Sequence, residues 1–220
     1  MKKYMEILKK TQLFSGIETE HIAAMLSCLD AKCKAYPAGV YVFRRGDRPH
    51  ALSILAEGSL YIQKDDYWGN CSILSHVSPG EMFGEAYAAP QSGAMLNDVI
   101  AVKDSVVIFF DMKRLITTCP VGCPFHAKAV ENLFFVISEK NRRLVRKLGH
   151  MAMRTTREKL ISYLSEEAQR HNSASFSIPF NRQELADYLS VDRSAMSSAL
   201  CKMRDEGLIT FHKNKFTLLS

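Results

Sequence analysis

Between Asn181 and Ile209 the chain reads NRQELADYLSVDRSAMSSALCKMRDEGLI. Two apolar patterns of helical period follow one another here with room for only a tight turn between them. Asn181, with Glu184 three residues on, has the spacing of a capping box that opens the first helix. Leu185, Ala186 and Leu189 form its inner face, Val191 falls in the turn, and Asp192 is placed to cap the second helix. On the second helix Met196, Ala199, Leu200 and Met203 share one face. Ser194, Ser198 and Cys201 point the opposite way, with Arg193 and Ser197 on the flanks. Two helices this short and this close predict a helix-turn-helix, whose second helix exposes compact donors and one long cation. Such a rod fits a major groove about 12 Å wide.

Serines alone do not separate this reading from a helical hairpin with a solvated face. Charge and context do. The chain has 29 Lys/Arg against 23 Asp/Glu. Residues 140–220 hold 15 of the cations and only 8 of the acids, and the remainder nearly cancels. An excess confined to the C-terminal third favours a polyanionic partner there, most simply nucleic acid. After Ile209, TFHKNKFTLLS reads as two strands around a turn, a wing beside the helices. Upstream, RTTREKLISYLSEEAQRH predicts an amphipathic helix capped by Thr155 or Thr156, with Leu160, Ile161 and Leu164 inward.

The front of the chain has a different texture. Leu8, Leu13, Phe14, Ile17, Ile22 and Leu26 suggest short helices over about 4–29. From Ala35 to Asp111, β-branched and aromatic runs alternate with Gly, Pro and Asp, which predicts a compact all-β roll. Gly39, Gly46, Gly58, Gly80 and Gly84 fall where its turns call for positive φ. Beyond MKRLITTCPVGCPFHAKAV, which Pro120 and Pro124 interrupt, Val130, Leu133, Ile137, Leu144, Leu148 and Met151 recur at three- and four-residue steps. A seam this long exceeds what one small roll covers, so the helix is expected to pair with a second copy. The alternative is a single long helix on its own β-domain. Lys140 and Asn141 interrupt the seam, and a buried Asn can set the register of a paired coil.

At these residues a resemblance is plain. RQELADYLSVDRSAMSSAL followed by MRDEGLI resembles the signature of the CRP/FNR family, the cyclic-AMP receptor and fumarate–nitrate-reduction regulators. PGEMFGEAYAAP, preceded by AEGSLYI, resembles that family's effector β-roll, and the long helix its dimer helix. The similarity runs from about Leu13 onward. It implies an α+β chain: a cyclic-nucleotide-binding-like β-roll (jelly roll) at residues 1–124, a dimerisation helix at 125–153, and a winged helix-turn-helix at 154–220. It also implies Arg182 and Gln183 near the phosphate backbone, and Arg193, Ser194, Ser197 and Ser198 facing the groove, with Lys202 beside them. Ser198 stands where many members carry a guanine-reading arginine and Ser194 where many carry glutamate, so Arg193 becomes the candidate for a bidentate guanine contact. Ser190 occupies a turn position where glycine is usual.

In cyclic-nucleotide binders of this fold a Gly-Glu pair is followed by an Arg-Ser pair eleven residues after the Gly, and the arginine neutralises the cyclic phosphate. Here Gly84 and Glu85 are present, but the later positions are Met95 and Leu96. A phosphate monoanion there lacks its counter-charge, which costs several kcal/mol when buried. An arginine from elsewhere, such as Arg44 or Arg45, would have to supply it, and Met95 and Leu96 suit an apolar ligand or a filled pocket. Cys28 and Cys33 do not make the tight cluster an iron–sulfur member needs. Cys119, Cys123 and His126 would share a face of a helix and offer soft ligands for a metal, or a reversible disulfide, although buried inert thiols are the simpler reading. His76 near Cys71 does not match the haem-ligand positions of the family. No nucleophile elbow, phosphate loop or zinc-helix motif is present, so no enzyme is expected.

MKKYMEILKKTQLF lacks an apolar core and cleavage site, and no run of about 20 apolar residues occurs, so a cytoplasmic protein with reduced thiols is expected. The expected partners are double-stranded DNA, a second copy, an unidentified small-molecule effector and, for a DNA-bound regulator, RNA polymerase. The effector and any cofactor are not specified. The rival reading is a cyclic-nucleotide or metal/redox-sensing signalling module acting through protein docking. Salt titration separates the two, because only DNA binding through phosphate contacts weakens log-linearly with salt.

Overall fold

The structure, a computed structural model, describes residues 2–68, 71–89, 91–117 and 124–219. The chain divides into two compact units, residues 1–138 and 139–220.

The first unit begins with α1 (Met5–Lys10), a 3-10 turn (Gln12–Phe14) and α2 (Thr19–Cys28). Their apolar positions Leu8, Leu13, Phe14, Ile22, Met25 and Leu26 are all buried, as the helical spacing predicts. Eight strands follow: β1 (Lys32–Tyr36), β2 (Tyr41–Phe43), β3 (Ala51–Glu57), β4 (Leu60–Asp65), β5 (Cys71–Val77), β6 (Met82–Phe83), β7 (Asp98–Ala101) and β8 (Ser105–Asp111). They form two antiparallel sheets of order β1-β8-β3-β6 and β2-β7-β4-β5. Strand β3 is buried on both faces, which follows from period-two alternation. Leu52, Ile54 and Ala56 enter the cluster packed under the helices, while Leu55 enters the cluster between the sheets. Ile108 and Phe110 of β8 divide from Val107 in the same way. Each such Leu or Ile contributes roughly 1.5–3 kcal/mol by leaving water.

Gly58, between β3 and β4, has φ +94, and a Cβ there would lie 2.5 Å from the Asp104 carbonyl oxygen and 2.6 Å from Ser105 Cα. Ser105 in turn holds the corner, accepting from the Ser59 amide at 3.1 Å. Only glycine fits.

After α3 (Met112–Ile116) comes α4 (Pro124–Met151), a helix of 28 residues. Proline opens it, where a missing amide hydrogen is tolerated. The seam needs one correction. Leu133 is buried in the core of its own unit, and Val130 packs on the same cluster. The outward stripe instead takes Phe134, then Ile137, Asn141, Leu144, Leu148 and Met151, in steps of three and four. Phe134, Leu144 and Leu148 are 73%, 60% and 63% exposed. Position 133 faces the roll because it shares a helix face with buried His126 and Ala129.

The second unit contains α5 (Thr156–His171), β9 (Ser175–Ser177), α6 (Arg182–Leu189), α7 (Arg193–Asp205), β10 (Ile209–His212) and β11 (Lys215–Leu218). Thr155 and Glu158 make a reciprocal capping box on α5. The wing has three strands, in order β10-β11-β9, because the extended segment before the helix pair joins it through β11. Its core joins Leu160, Tyr163 and Leu164 of α5 to Leu185, Leu189, Met196, Leu200 and Met203 of the helix pair and Phe176 and Phe216 of the sheet.

Candidate nucleic-acid interface

Asn181 Oδ1 accepts from the Glu184 amide at 3.0 Å, and Glu184 Oε2 accepts from the Asn181 amide at 2.7 Å. This box starts α6. The helix ends at Ser190, which has φ +51 and hands its own amide to the Asp187 carbonyl at 3.2 Å. A left-handed serine carries the turn where glycine has less steric cost. Lys159 Nζ donates to the Leu189 carbonyl at 3.2 Å and the Ser190 carbonyl at 3.4 Å, pinning the turn from α5. Nothing in the sequence pointed to this, since its acceptors are backbone atoms about thirty residues away.

Asp192 caps α7, accepting from the Ala195 amide at 2.8 Å and the Ser194 hydroxyl at 2.5 Å. Those donors, the serine hydroxyl foremost, hold its carboxyl below the usual carboxylate range. Met196, Leu200 and Met203 are buried, while Arg193, Ser194, Ser198, Cys201 and Lys202 are exposed. Ser197 is half-buried and its hydroxyl donates to the Arg193 carbonyl at 2.9 Å. The Arg193 guanidinium has no partner among the described residues. The outer face of α7 therefore offers one unengaged guanidinium, one ammonium and two exposed hydroxyls within three turns. That is chemistry suited to base edges and phosphates.

The two residues expected at the start of α6 diverge. Gln183 is exposed, and its amide donates to Asp187 at 2.8 Å. Arg182 is half-buried, lying over the Phe211 and Phe216 rings. Sequence reasoning passed over Lys213 and Lys215, exposed at the β10–β11 turn, where Lys213 adopts φ +55. It also passed over His150, near the end of α4. That ring is 4% exposed, with Nδ1 2.8 Å from the Ser162 hydroxyl and Nε2 3.2 Å from Glu166.

In the roll, Gly84 has φ +74 and leads into a single 3-10 turn, Glu85–Tyr87. Met95 is 3% exposed in the core between the sheets, beside Leu60, Phe83 and Val99, whereas Leu96 is 65% exposed. The four expected effector residues thus do not share one lining. Arg44 lies over the Tyr41 ring, 4.3 Å from its centre, and both Arg44 and Arg45 are exposed. His126 is 6% exposed, with Nδ1 unpartnered among the described residues. Cys119 and Cys123 lie outside the described residues. Cys28, Cys33, Cys71 and Cys201 are exposed and form no disulfide among the described residues. No helix among the described residues is long and apolar enough to cross a membrane.

Two protein families match the chain in tandem: a cyclic nucleotide-binding domain at residues 33–119 and a Crp-like helix-turn-helix domain at residues 158–220. The chain belongs to the CRP/FNR family. Among its relatives is the cyclic AMP receptor protein of Thermus thermophilus, 24% identical over 205 residues, covering 92% of this chain and 89% of that protein. The CRP-like cAMP-activated global transcriptional regulator of Mycobacterium tuberculosis is 23% identical over 220 residues, covering 98% and 95%. Among solved structures, CprK complexed with OCPA superimposes with a TM-score of 0.65 at 14% identity, covering 91% of this chain and 92% of that one. The c-di-GMP-responsive global regulator CLP of Xanthomonas campestris gives 0.58 at 18%, covering 92% and 100%.

As a CRP/FNR member the chain is a transcription regulator with a helix-turn-helix DNA-binding domain. Its departures from the cyclic-nucleotide pattern of the fold lie in the roll. Neither Met95 nor Leu96 carries charge, and Met95 fills the space between the sheets. Neither side chain offers a counter-charge to a phosphate.

Proposed function

We propose that the chain works as a homodimeric cytoplasmic regulator that binds a roughly palindromic operator and answers a small-molecule or redox signal other than cyclic AMP. Residues 1–124 form the sensing roll, 125–153 the dimerising helix and 154–220 the DNA-reading domain. The observation that carries the reading is the two-sided character of α7, apolar inward and bearing Arg193, Ser194, Ser198 and Lys202 outward. Arg193 reads a guanine, the serines line the groove, and Gln183 and Lys202 approach phosphates.

Pairing is supported by the exposed stripe from Phe134 to Met151, whose three–four alternation is the heptad spacing of a two-stranded coil. Symmetric pairing gives two recognition helices, which match half-sites about 34 Å apart. The signal acts as a population shift towards the pair spacing that fits the duplex. Met95 supports a signal other than a cyclic nucleotide, because a ligand phosphate in its place would be buried without a cation. Cys119, Cys123 and His126 are the alternative route for a metal or redox signal.

The deciding experiment is a salt titration of duplex-DNA binding alongside sedimentation of the free protein. We expect a dimer whose DNA affinity falls steeply and log-linearly with salt. A monomer, or no duplex binding at any ionic strength, overturns the reading. Cyclic AMP added at millimolar concentration is expected to leave both the melting temperature and the DNA affinity unchanged.

A further inference from the structure

The resemblance puts Arg182 at a phosphate. The geometry points to a different role: Arg182 is a positioning residue whose guanidinium, lying over Phe211 and Phe216, fixes the β10–β11 hairpin against the start of α6. This rests on the duplex-binding reading above.

The guanidinium carbon lies 4.8 Å from the centre of the Phe211 ring and 5.1 Å from that of Phe216. No carboxylate or carbonyl partner holds it among the described residues, so the rings are its anchorage. Burial pushes its pKa down from the usual arginine value, in keeping with its half-buried place over the rings. The rings themselves belong to a continuous set. Phe211 meets Phe216 at 5.8 Å, Phe216 stacks on Phe176 at 6.4 Å, and Arg204 of α7 approaches Phe211 at 5.9 Å. Arg182 and Arg204 therefore bring both helices of the pair to the same aromatic ridge. Swinging Arg182 out to a phosphate would uncover Phe216, which is 1% exposed.

What this placement serves is the hairpin tip, where His212, Lys213, Asn214 and Lys215 are exposed. Lys213 and Lys215 make no ion pair among the described residues, so their charge is available to a polyanion. The stack holds those lysines at a fixed height relative to α7. A delocalised cation suits this place, because the guanidinium carbon lies within about 5 Å of the centres of two rings tilted 36° to each other.

The test is a double-mutant cycle on the full-length protein, with a 30-base-pair mixed-sequence duplex as probe and affinity measured across a salt series. The variants are R182K, R182A, F211L and the pair K213A/K215A, each checked for an unchanged melting profile. If Arg182 acts through the wing, lysine fails to rescue, and R182K binds about tenfold more weakly than the parent. F211L shows the same loss. Added to K213A/K215A, R182K then costs less than twofold more, because the lysines it positions are already gone. If R182K binds like the parent, or if its loss adds fully to that of K213A/K215A with a further drop of about one in the salt slope, Arg182 is a phosphate contact and the inference is overturned. Failure of the unmodified protein to bind the duplex at any salt removes the underlying reading and this inference with it. Additive losses with normal binding by the parent remove this inference alone.

Discussion

The hydroxyl of Ser194 donates to the carboxylate of Asp192 at 2.5 Å, so a residue on the exposed face of α7 also secures the cap of its own helix. The Asp192 pKa is depressed in the folded chain below its ordinary value of 3.8. A depressed carboxyl stabilises the folded form above the unfolded pKa, and that stabilisation is lost as pH falls below it. The first turn of α7 should therefore be fully protected from hydrogen exchange at neutral pH and lose protection below about pH 4. Asp192→Asn, which caps without titrating, should abolish that acid dependence. Exchange rates for residues 194–196 that respond identically to acid in both proteins would disprove the assignment.

Arg193→Ala should weaken binding to a selected operator by about 1–3 kcal/mol and relax preference at one base pair of each half-site. Competition against single-base operator variants measures this directly. A loss of equal size on every sequence would make Arg193 a phosphate contact.

Leu148→Glu places a charge in the exposed stripe of α4 and should leave the protein monomeric in sedimentation at micromolar concentration, with operator binding weakened at least a hundredfold. Asn141→Leu should act oppositely on strength and adversely on order. The dimer tightens, but a polar residue that fixes register is gone, so higher oligomers appear. A monomeric parent, or no oligomeric change in either variant, counts against the stripe as the interface.

Gly58→Ala should cost about 3 kcal/mol of roll stability, because the methyl group meets both the Asp104 carbonyl and Ser105 in a backbone conformation alanine avoids. The urea midpoint of the first transition measures it. Gly39→Ala has an equally positive φ, +81, but open space around the new methyl, so it should cost clearly less.

His150→Ala should destabilise the second unit by about 2 kcal/mol, through the cavity left beside Tyr163 and Tyr188 and the loss of the hydrogen bond to Ser162 and the contact with Glu166. A shifted denaturant midpoint for that unit checks it.

The helix pair was legible in the sequence because its signals are local. Asn181 with Glu184, Asp192, and the Met196–Leu200–Met203 face each act within one or two turns. The turn glycines of the roll were legible for the same reason, and each of the five has positive φ. Leu133 was misassigned because a helix that packs on a roll through one face and leaves another bare presents two interleaved apolar stripes. Spacing alone cannot say which residue belongs to which. The ring contacts of Arg182 and the burial of His150 were not legible, since their partners, Phe211, Phe216, Ser162 and Glu166, are fixed only by tertiary packing. Met95 and Leu96 were read together, yet the packing between the sheets takes in only the first and leaves the second exposed.

The order β10-β11-β9 makes the last strand of the sheet in sequence its middle strand in space. Trimming the chain back to residue 214 would delete Phe216, strip both neighbouring strands of their hydrogen-bonding mate and leave β9 with nothing to pair. A frameshift or clipping protease that removes residues 215–220 should thus be as damaging as a lesion in the second helix of the pair.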